Sequence, residues 1–193
     1  ILDVHIADIA CGSGIFLEEA FSYLQNYCVQ KYLANGEQGH LIEIGNGSYK
    51  LPLDEKKRIL RSCIYGIDID IHAVEVAKFS LLIKLIENET APSVADETPI
   101  LPDLSTNILF GNSLVSSEEL QGIRASADEL IELAPFDWNS INNGNPFSVI
   151  IGNPPYVNTE GMHALLPIPE VEIYKKKYKT SHKQFDKYFI FIE

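Results

Sequence analysis

The sequence predicts a doubly wound α/β fold on a mainly parallel sheet, and three observations predict it. Short apolar runs at residues 5–9, 63–67, 106–110 and 147–151 alternate with stretches whose apolar residues recur at helical spacing. The runs are apolar on both faces instead of alternating with polar residues, as strands are when both sides of a parallel sheet are covered. Each run ends in a turn containing Gly, Asp or Asn, and in such sheets ligands collect beyond the carboxyl ends of the strands.

Taken in order, the first strand leads into Ala10-Cys11-Gly12-Ser13-Gly14, after which Leu17, Phe21, Leu24 and Cys28 mark one face of a helix. Residues 35–53 are rich in Gly, Asn and other polar types and read as a surface insertion, spanning about 34–62 with the short helix that follows. That helix carries Lys56, Lys57, Arg58 and Arg61 and is expected to be solvated. Asp70 can cap the next helix, whose stripe Val74, Ala77, Leu81 and Leu85 runs to about Asn88. Three prolines make 89–105 a loop. A weaker helix is expected over 117–133, then a polar linker around 139–145. The last strand, expected to be buried, runs directly into Asn153-Pro154-Pro155-Tyr156. The apolar run Tyr188-Phe189-Ile190-Phe191-Ile192 belongs to an unfinished element, and with Ile1 in place of Met the chain reads as an excerpt.

At 193 residues and 46% hydrophobic the chain can bury one good core and is short for two, so one domain is expected. There is no apolar run of membrane-spanning length and no signal-peptide pattern, which points to a cytoplasmic protein without a membrane partner. Cys11, Cys28 and Cys63 lack paired metal spacing and read as reduced, buried thiols, so no metal is expected. The five histidines have no motif partners. A net charge of −12 has the wrong sign for holding a polyanion by counterion release. Either nucleic acid is not the partner, or the basic clamp lies on other segments.

The strand ends carry the chemistry. After Asp8, the turn has Gly12 and Gly14, but Leu17 stands where a dinucleotide fingerprint wants its third glycine, which argues against a pyrophosphate. An acidic Asp8 before the turn repels phosphate and attracts an ammonium group, which suits S-adenosylmethionine, a cofactor with an α-amino group, a sulfonium and no phosphate. The second strand ends in Gly66-Ile67-Asp68-Ile69-Asp70; Asp68 is assigned to the ribose hydroxyls because Asp70 is better placed as a cap. Asn112 sits where an amide can read the cofactor's adenine. The Asn153-Pro154-Pro155-Tyr156 turn joins a side-chain acceptor, a rigidly held carbonyl and an aromatic face. Two acceptors, the Asn153 side chain and the Pro154 carbonyl, can hold the hydrogens of a planar ring amine and favour a tetrahedral nitrogen, while Tyr156 stacks on the ring.

In this order Asp8 to Leu17, Tyr65 to Asp70, Gly111 to Leu114, Asn153 to Tyr156 and Phe185 to Glu193 resemble the motifs of N6-adenine DNA methyltransferases, in particular the modification region of type IIG restriction-modification enzymes. The resemblance implies a Rossmann-like S-adenosylmethionine-dependent methyltransferase fold, here truncated, that acts on an adenine flipped out of double-stranded DNA. It implies that 1–193 is a partial catalytic domain, with DNA-recognition and any endonuclease domains outside it. Asp8 would take the cofactor's amino group, with Ala10, Gly12 and Gly14 shaping the pocket; Asp68 would bind the ribose, Ile69 would pack on the cofactor's adenine, Asn112 would recognise its amine, and Phe191 would cover it. Relatives often have Asp where Asn112 stands, so the Asn carbonyl would have to face the amine. The catalytic roles fall to Asn153, Pro154 and Tyr156. The same turn chemistry suits a protein glutamine or an RNA adenine methyltransferase, which are the enzymatic alternatives; a non-catalytic module is a third.

Overall fold

A computed structural model describes residues 2–94 and 98–193. Its elements run β1 (Ile6–Asp8), α1 (Ile15–Ala34), a hairpin of β2 (Ile42–Gly45) and β3 (Ser48–Lys50), α2 (Leu53–Cys63), β4 (Ile64–Asp68), α3 (Ile71–Ile86), α4 (Ala91–Val94), β5 (Ile108–Phe110), α5 (Ala127–Leu133), β6 (Val149–Ile151), α6 (Thr159–Leu165), α7 (Ile168–Lys177) and α8 (Lys187–Ile192). The main sheet has the order β5-β4-β1-β6, every pair parallel. Its register sets Asp8 beside Gly66 and Ile151, and Asp68 beside Phe110, so all four turns open along one edge.

Strand side chains alternate between the two faces of the sheet. Ile6, Ile64 and Ile108 meet Leu17, Phe21 and Leu24 of α1, Ile59 and Leu60 of α2, and Val74, Ala77, Leu81 and Leu85 of α3. The α1 and α3 stripes expected from spacing are therefore the buried ones. On the other face Ala7, Tyr65 and Ile67 pack against Phe136 and Ile141, from a segment of single 3-10 turns. A third apolar cluster, with Leu114, Leu133, Met162, Tyr174 and Ile190 in it, joins α5 and the loop after β5 to α6, α7 and α8.

Five expectations change in the structure. The segment read as a surface insertion holds two different things: the hairpin is exposed, but α2 buries Leu53, Lys56, Ile59, Leu60 and Cys63. Lys56 is not on a solvated face, because Glu89 pairs with it at 2.7 Å and with Lys50 at 2.7 Å, which permits its burial. The helix over 117–133 is two pieces, since Ser116 with Glu119 and Ser126 with Glu129 form separate capping boxes and each starts a new element. The final strand is not buried: among the described residues β6 pairs only with β1, and Val149 and Ile150 are 41% and 60% exposed. Part of the expected 89–105 loop is the short α4, and 95–97 lie outside the described residues. The run from Tyr188 to Ile192 is helical, within α8.

Candidate active site

Asp8 ends β1 and is almost wholly buried, at 1% exposure. Its Oδ1 accepts the Ala10 N–H at 3.0 Å, whereas its buried Oδ2 has no hydrogen-bond partner among the described residues. Burial pushes its carboxyl up to about 6, the Ala10 N–H opposes the rise, and the nearby Asp68 charge adds to it. A buried acceptor left unpaired is costly unless something else pairs it. Gly152, at φ +151°, sits against this carboxylate: a Cβ there would stand 2.6 Å from Asp8 Oδ1. The end of β6 can approach Asp8 only because residue 152 is glycine.

The turn after Asp8 is tied to the second strand end. Asp68 Oδ2 accepts the Gly12 N–H at 2.8 Å, and its Oδ1 accepts the Asp70 N–H at 2.9 Å. Asp70 accepts from His72 N and caps α3, the role expected for it. Gly14 serves packing: at φ +90° it starts α1, and a Cβ there would lie 3.0 Å from Ala77 Cβ on α3. Burial pushes the Cys11 thiol up to about 12, with Asp68 and Asp8 adding to the rise, so it stays a neutral core thiol.

Two cavities meet here. One of ≈ 250 Å³ is lined in part by Asp68, Ile69, Asn112, Asn153, Lys187 and Phe191. The other, of ≈ 240 Å³, is lined in part by Asp8, Gly152, Pro154, Tyr188 and Phe191. They share Ile9, Ala10 and Phe191. Asp8, Ala10, Asp68, Ile69, Asn112, Asn153, Pro154 and Phe191 are thus brought to one crevice, with Asn153 and Pro154 facing its two halves, whereas Gly12 and Gly14, expected to shape the pocket, line neither cavity. Tyr156 lies outside both, 71% exposed and stacked on Tyr188 at 5.4 Å between ring centroids with 16° between planes.

Asn112 is buried with both ends of its amide engaged. Its Oδ1 accepts the Leu114 N–H at 3.1 Å and its Nδ2 donates to Glu170 Oε1 at 3.1 Å. Glu170 Oε1 also accepts from Lys187 Nζ at 3.0 Å and from the Tyr174 hydroxyl. Residue-by-residue reading missed this cluster, and it missed Ser113, whose hydroxyl donates to Ile9 O at 2.7 Å and ties the third strand end to the first. Position in the Gly-Asn-Ser turn was the available signal for Ser113, and position in the Phe185–Glu193 motif for Lys187; Glu170 had none, lying in a charged, helical stretch. No group of three or more His, Cys, Asp or Glu able to hold a metal occurs among the described residues, and no described helix is long and apolar enough to cross a membrane.

Residues 62–193 match the family model described as Eco57I restriction-modification methylase. Over all 193 residues the chain is 47% identical to the type II restriction enzyme and methyltransferase RM.Eco57I of Escherichia coli, covering 18% of that protein. It is 24% identical over 170 residues to the adenine-specific methyltransferase PglX of Streptomyces coelicolor, covering 82% of this chain and 12% of PglX. Among solved structures, a nuclease-deletion mutant of the Type ISP restriction-modification enzyme LlaGI in complex with a DNA substrate mimic superposes with a TM-score of 0.51 at 19% identity, over 98% of this chain and 14% of that one, a likeness of fold. The chain therefore spans less than a fifth of these relatives' lengths.

Proposed function

The chain belongs to the Eco57I restriction-modification methylase family, and on that premise we propose that it is the catalytic part of a DNA adenine methyltransferase that transfers a methyl group from S-adenosylmethionine to the N6 amino group of an adenine flipped out of double-stranded DNA. The protein acts in the cytoplasm as part of a restriction-modification enzyme of type IIG character, and segments outside these 193 residues supply most of the DNA grip, in keeping with a net charge of −12. The observation that carries this reading is the crevice itself, which opens an unpartnered, buried Asp8 carboxylate oxygen on one side of Phe191 and the Asn153 side chain on the other.

The donor set fits the cofactor. Asp8 Oδ2 offers a buried anionic acceptor to an ammonium group, while Lys187, which lines the same crevice, is paired with Glu170 and so gives phosphate little net attraction. Asp68 keeps acceptor capacity beyond its two backbone hydrogen bonds for ribose hydroxyls. Ile69 and Phe191 provide apolar faces for a planar ring. When bound, S-adenosylmethionine supplies an electrophilic methyl group on a sulfonium.

The chain's own residues then do the rest by position. Asn153 Oδ1 and the Pro154 carbonyl accept the two hydrogens of the target amine, which localises the nitrogen lone pair. Pro155 fixes the backbone, so these acceptors need little reorganisation. Tyr156 holds the ring plane, which aligns the lone pair with the methyl group. No group here needs to remove a proton before transfer, because the product ammonium is acidic enough to lose it to water afterwards.

Asn153→Ala in the full protein is expected to lower methylation by about a thousandfold or more, on the scale of losing a pre-organised polar contact, and to leave S-adenosylhomocysteine affinity within about threefold. Single-molecule sequencing of exposed DNA reads the first quantity and calorimetry the second. Normal N6 methylation by that variant would sink the mechanism.

A further inference from the structure

Five of the chain's fifteen Lys and Arg residues stand in the nine positions from Lys175 to Lys183, a stretch with no Asp or Glu, in a chain of net charge −12. A solvated helix end accounts for part of this, because Lys175, Lys176 and Lys177 close α7 and suit the negative end of its dipole. Lys177 is also spent locally, on Glu119 at 2.9 Å and on the Leu114 carbonyl at 3.2 Å. Lys179 and Lys183 lie beyond the helix, and they, with Lys175 and Lys176, are exposed and form no ion pair among the described residues. The backbone that carries them is tied down by other groups. The Ser181 hydroxyl donates to Tyr174 O at 2.8 Å, the Tyr178 hydroxyl donates to Leu114 O at 2.8 Å, and the Glu193 carboxylate, just past α8, accepts the N–H groups of Lys179 at 3.0 Å and Thr180 at 2.9 Å. At the other end of α8, the Phe185 N–H donates to Thr159 Oγ1 at 2.7 Å, the Lys187 N–H donates to Val157 O at 2.8 Å, and Tyr188 stacks on Tyr156. The basic segment thus runs alongside α8 and reaches the turn that ends in Tyr156. Six residues make α8 about 9 Å long, a span over which one strand of duplex DNA carries about two or three phosphates.

Resting on the reading of the chain as a DNA methyltransferase, we propose that Lys175, Lys176, Lys179 and Lys183 form a phosphate-contacting rim beside the turn that takes the flipped adenine, and that this rim holds the backbone of the strand that carries it. Lysine suits the task, since a point charge on a flexible stem meets phosphate oxygens without reading base edges; the rim positions the strand and adds affinity on any sequence. Extruding a base costs unstacking and unpairing energy, and contacts to the phosphates that flank it offset part of that cost where it arises. The rest of the chain is more acidic still without these lysines, so it repels DNA from its other faces and favours approach at this one.

The test is the affinity of the full protein for a duplex that it methylates and for one that it does not, read by fluorescence anisotropy across about a tenfold range of salt. In Lys175→Gln/Lys176→Gln/Lys179→Gln/Lys183→Gln the slope of log affinity against log salt is expected to be shallower by about 2–3, since each phosphate contact contributes about 0.9. By the same relation affinity at about 0.1 M salt is expected to fall on the order of a hundredfold, equally for both duplexes. The counterpart with arginine at all four positions is expected to keep the parent slope, and S-adenosylhomocysteine affinity of the glutamine variant is expected to stay within about twofold. An unchanged slope overturns the proposal, and so does a loss confined to the duplex that is methylated. Lys179→Gln/Lys183→Gln, at two exposed positions outside the helices, reads the same quantity at about half the size should the fourfold variant not fold. A parent protein that methylates no adenine in DNA overturns the DNA reading as well, and that result is distinct from a parent that methylates and a variant that keeps its slope.

Discussion

Asp8 shows how a binding group is kept at the expense of the fold. Its folded-state carboxyl titrates near 6, against an ordinary value of 3.8, chiefly because it is buried. For an acid raised in this way the folded state holds the proton more tightly, so the favourable contribution is fully present below pH 3.8 and is lost as pH rises through 6. The penalty at neutral pH is on the order of 3 kcal/mol. Asp8→Asn is accordingly expected to raise the melting temperature of the ligand-free protein at pH 8, by an amount that shrinks towards pH 4. Cofactor affinity, by contrast, should fall in that variant, and in the unaltered protein it should fall as pH drops through 6, where the counter-charge for the ammonium group is neutralised. A variant less stable than the parent at pH 8 would count against this account. Asp8 was legible in the sequence because a carboxylate at a strand end before a glycine turn has few structural uses. Glu170 was not: the sequence Pro169-Glu170-Val171-Glu172 looks like any solvated helix start, and its partners Asn112 and Lys187 lie 58 and 17 residues away.

At the scale of elements, α2 illustrates which ion pairs matter. Arg58 and Glu55 pair on its outer side, with the Arg58 side chain 44% exposed, whereas Lys56 and Glu89 pair with side chains 6% and 3% exposed. Exposed pairs contribute about 1 kcal/mol or less. Removing one partner of a buried pair strands a charge and costs about 3–5 kcal/mol. Glu89→Ala is expected to lower the urea midpoint far more than Arg58→Ala, and the two losses being equal would contradict the assignment of Glu89 as the clamp that joins β3, α2 and the end of α3. Burial also holds back the depression of the Glu89 carboxyl, but the donors from Lys50, Lys56 and Ser93 together keep it below its ordinary value. The sequence reveals the stripe of α3 because Leu and Val at helical spacing have no polar competitor. It hides the burial of α2 because Lys56 stands among Lys57, Arg58 and Arg61, and the partners that make its burial tolerable, a carboxylate 33 residues along and the carbonyls of Leu85 and Glu87, are distant in sequence.

Across these 193 residues the sheet carries its chemistry beside β6, the last strand in its order. The apolar run at 147–151 looks like a strand covered on both faces, and composition alone does not reveal that, among the described residues, β6 has β1 as its only strand neighbour and exposes Val149 and Ile150. An unpaired strand edge with apolar side chains is a template for a second strand. Working against association is the net charge of −12, which makes two copies repel. Salt decides between them, because at physiological ionic strength charges are screened beyond about 8 Å while apolar burial and strand pairing are not weakened. The 193-residue chain by itself is therefore expected to self-associate at micromolar concentration, more strongly at 0.5 M than at 0.05 M salt on the order of a tenfold change in the screening electrolyte. Val149→Lys, which places a charge on the exposed part of β6 outside both cavities, should restore a monomer in light scattering and leave the unfolding midpoint nearly unchanged. A monomeric parent at both salt concentrations would show that β6 is not the associating edge; association that weakens with salt would point instead to an electrostatic contact.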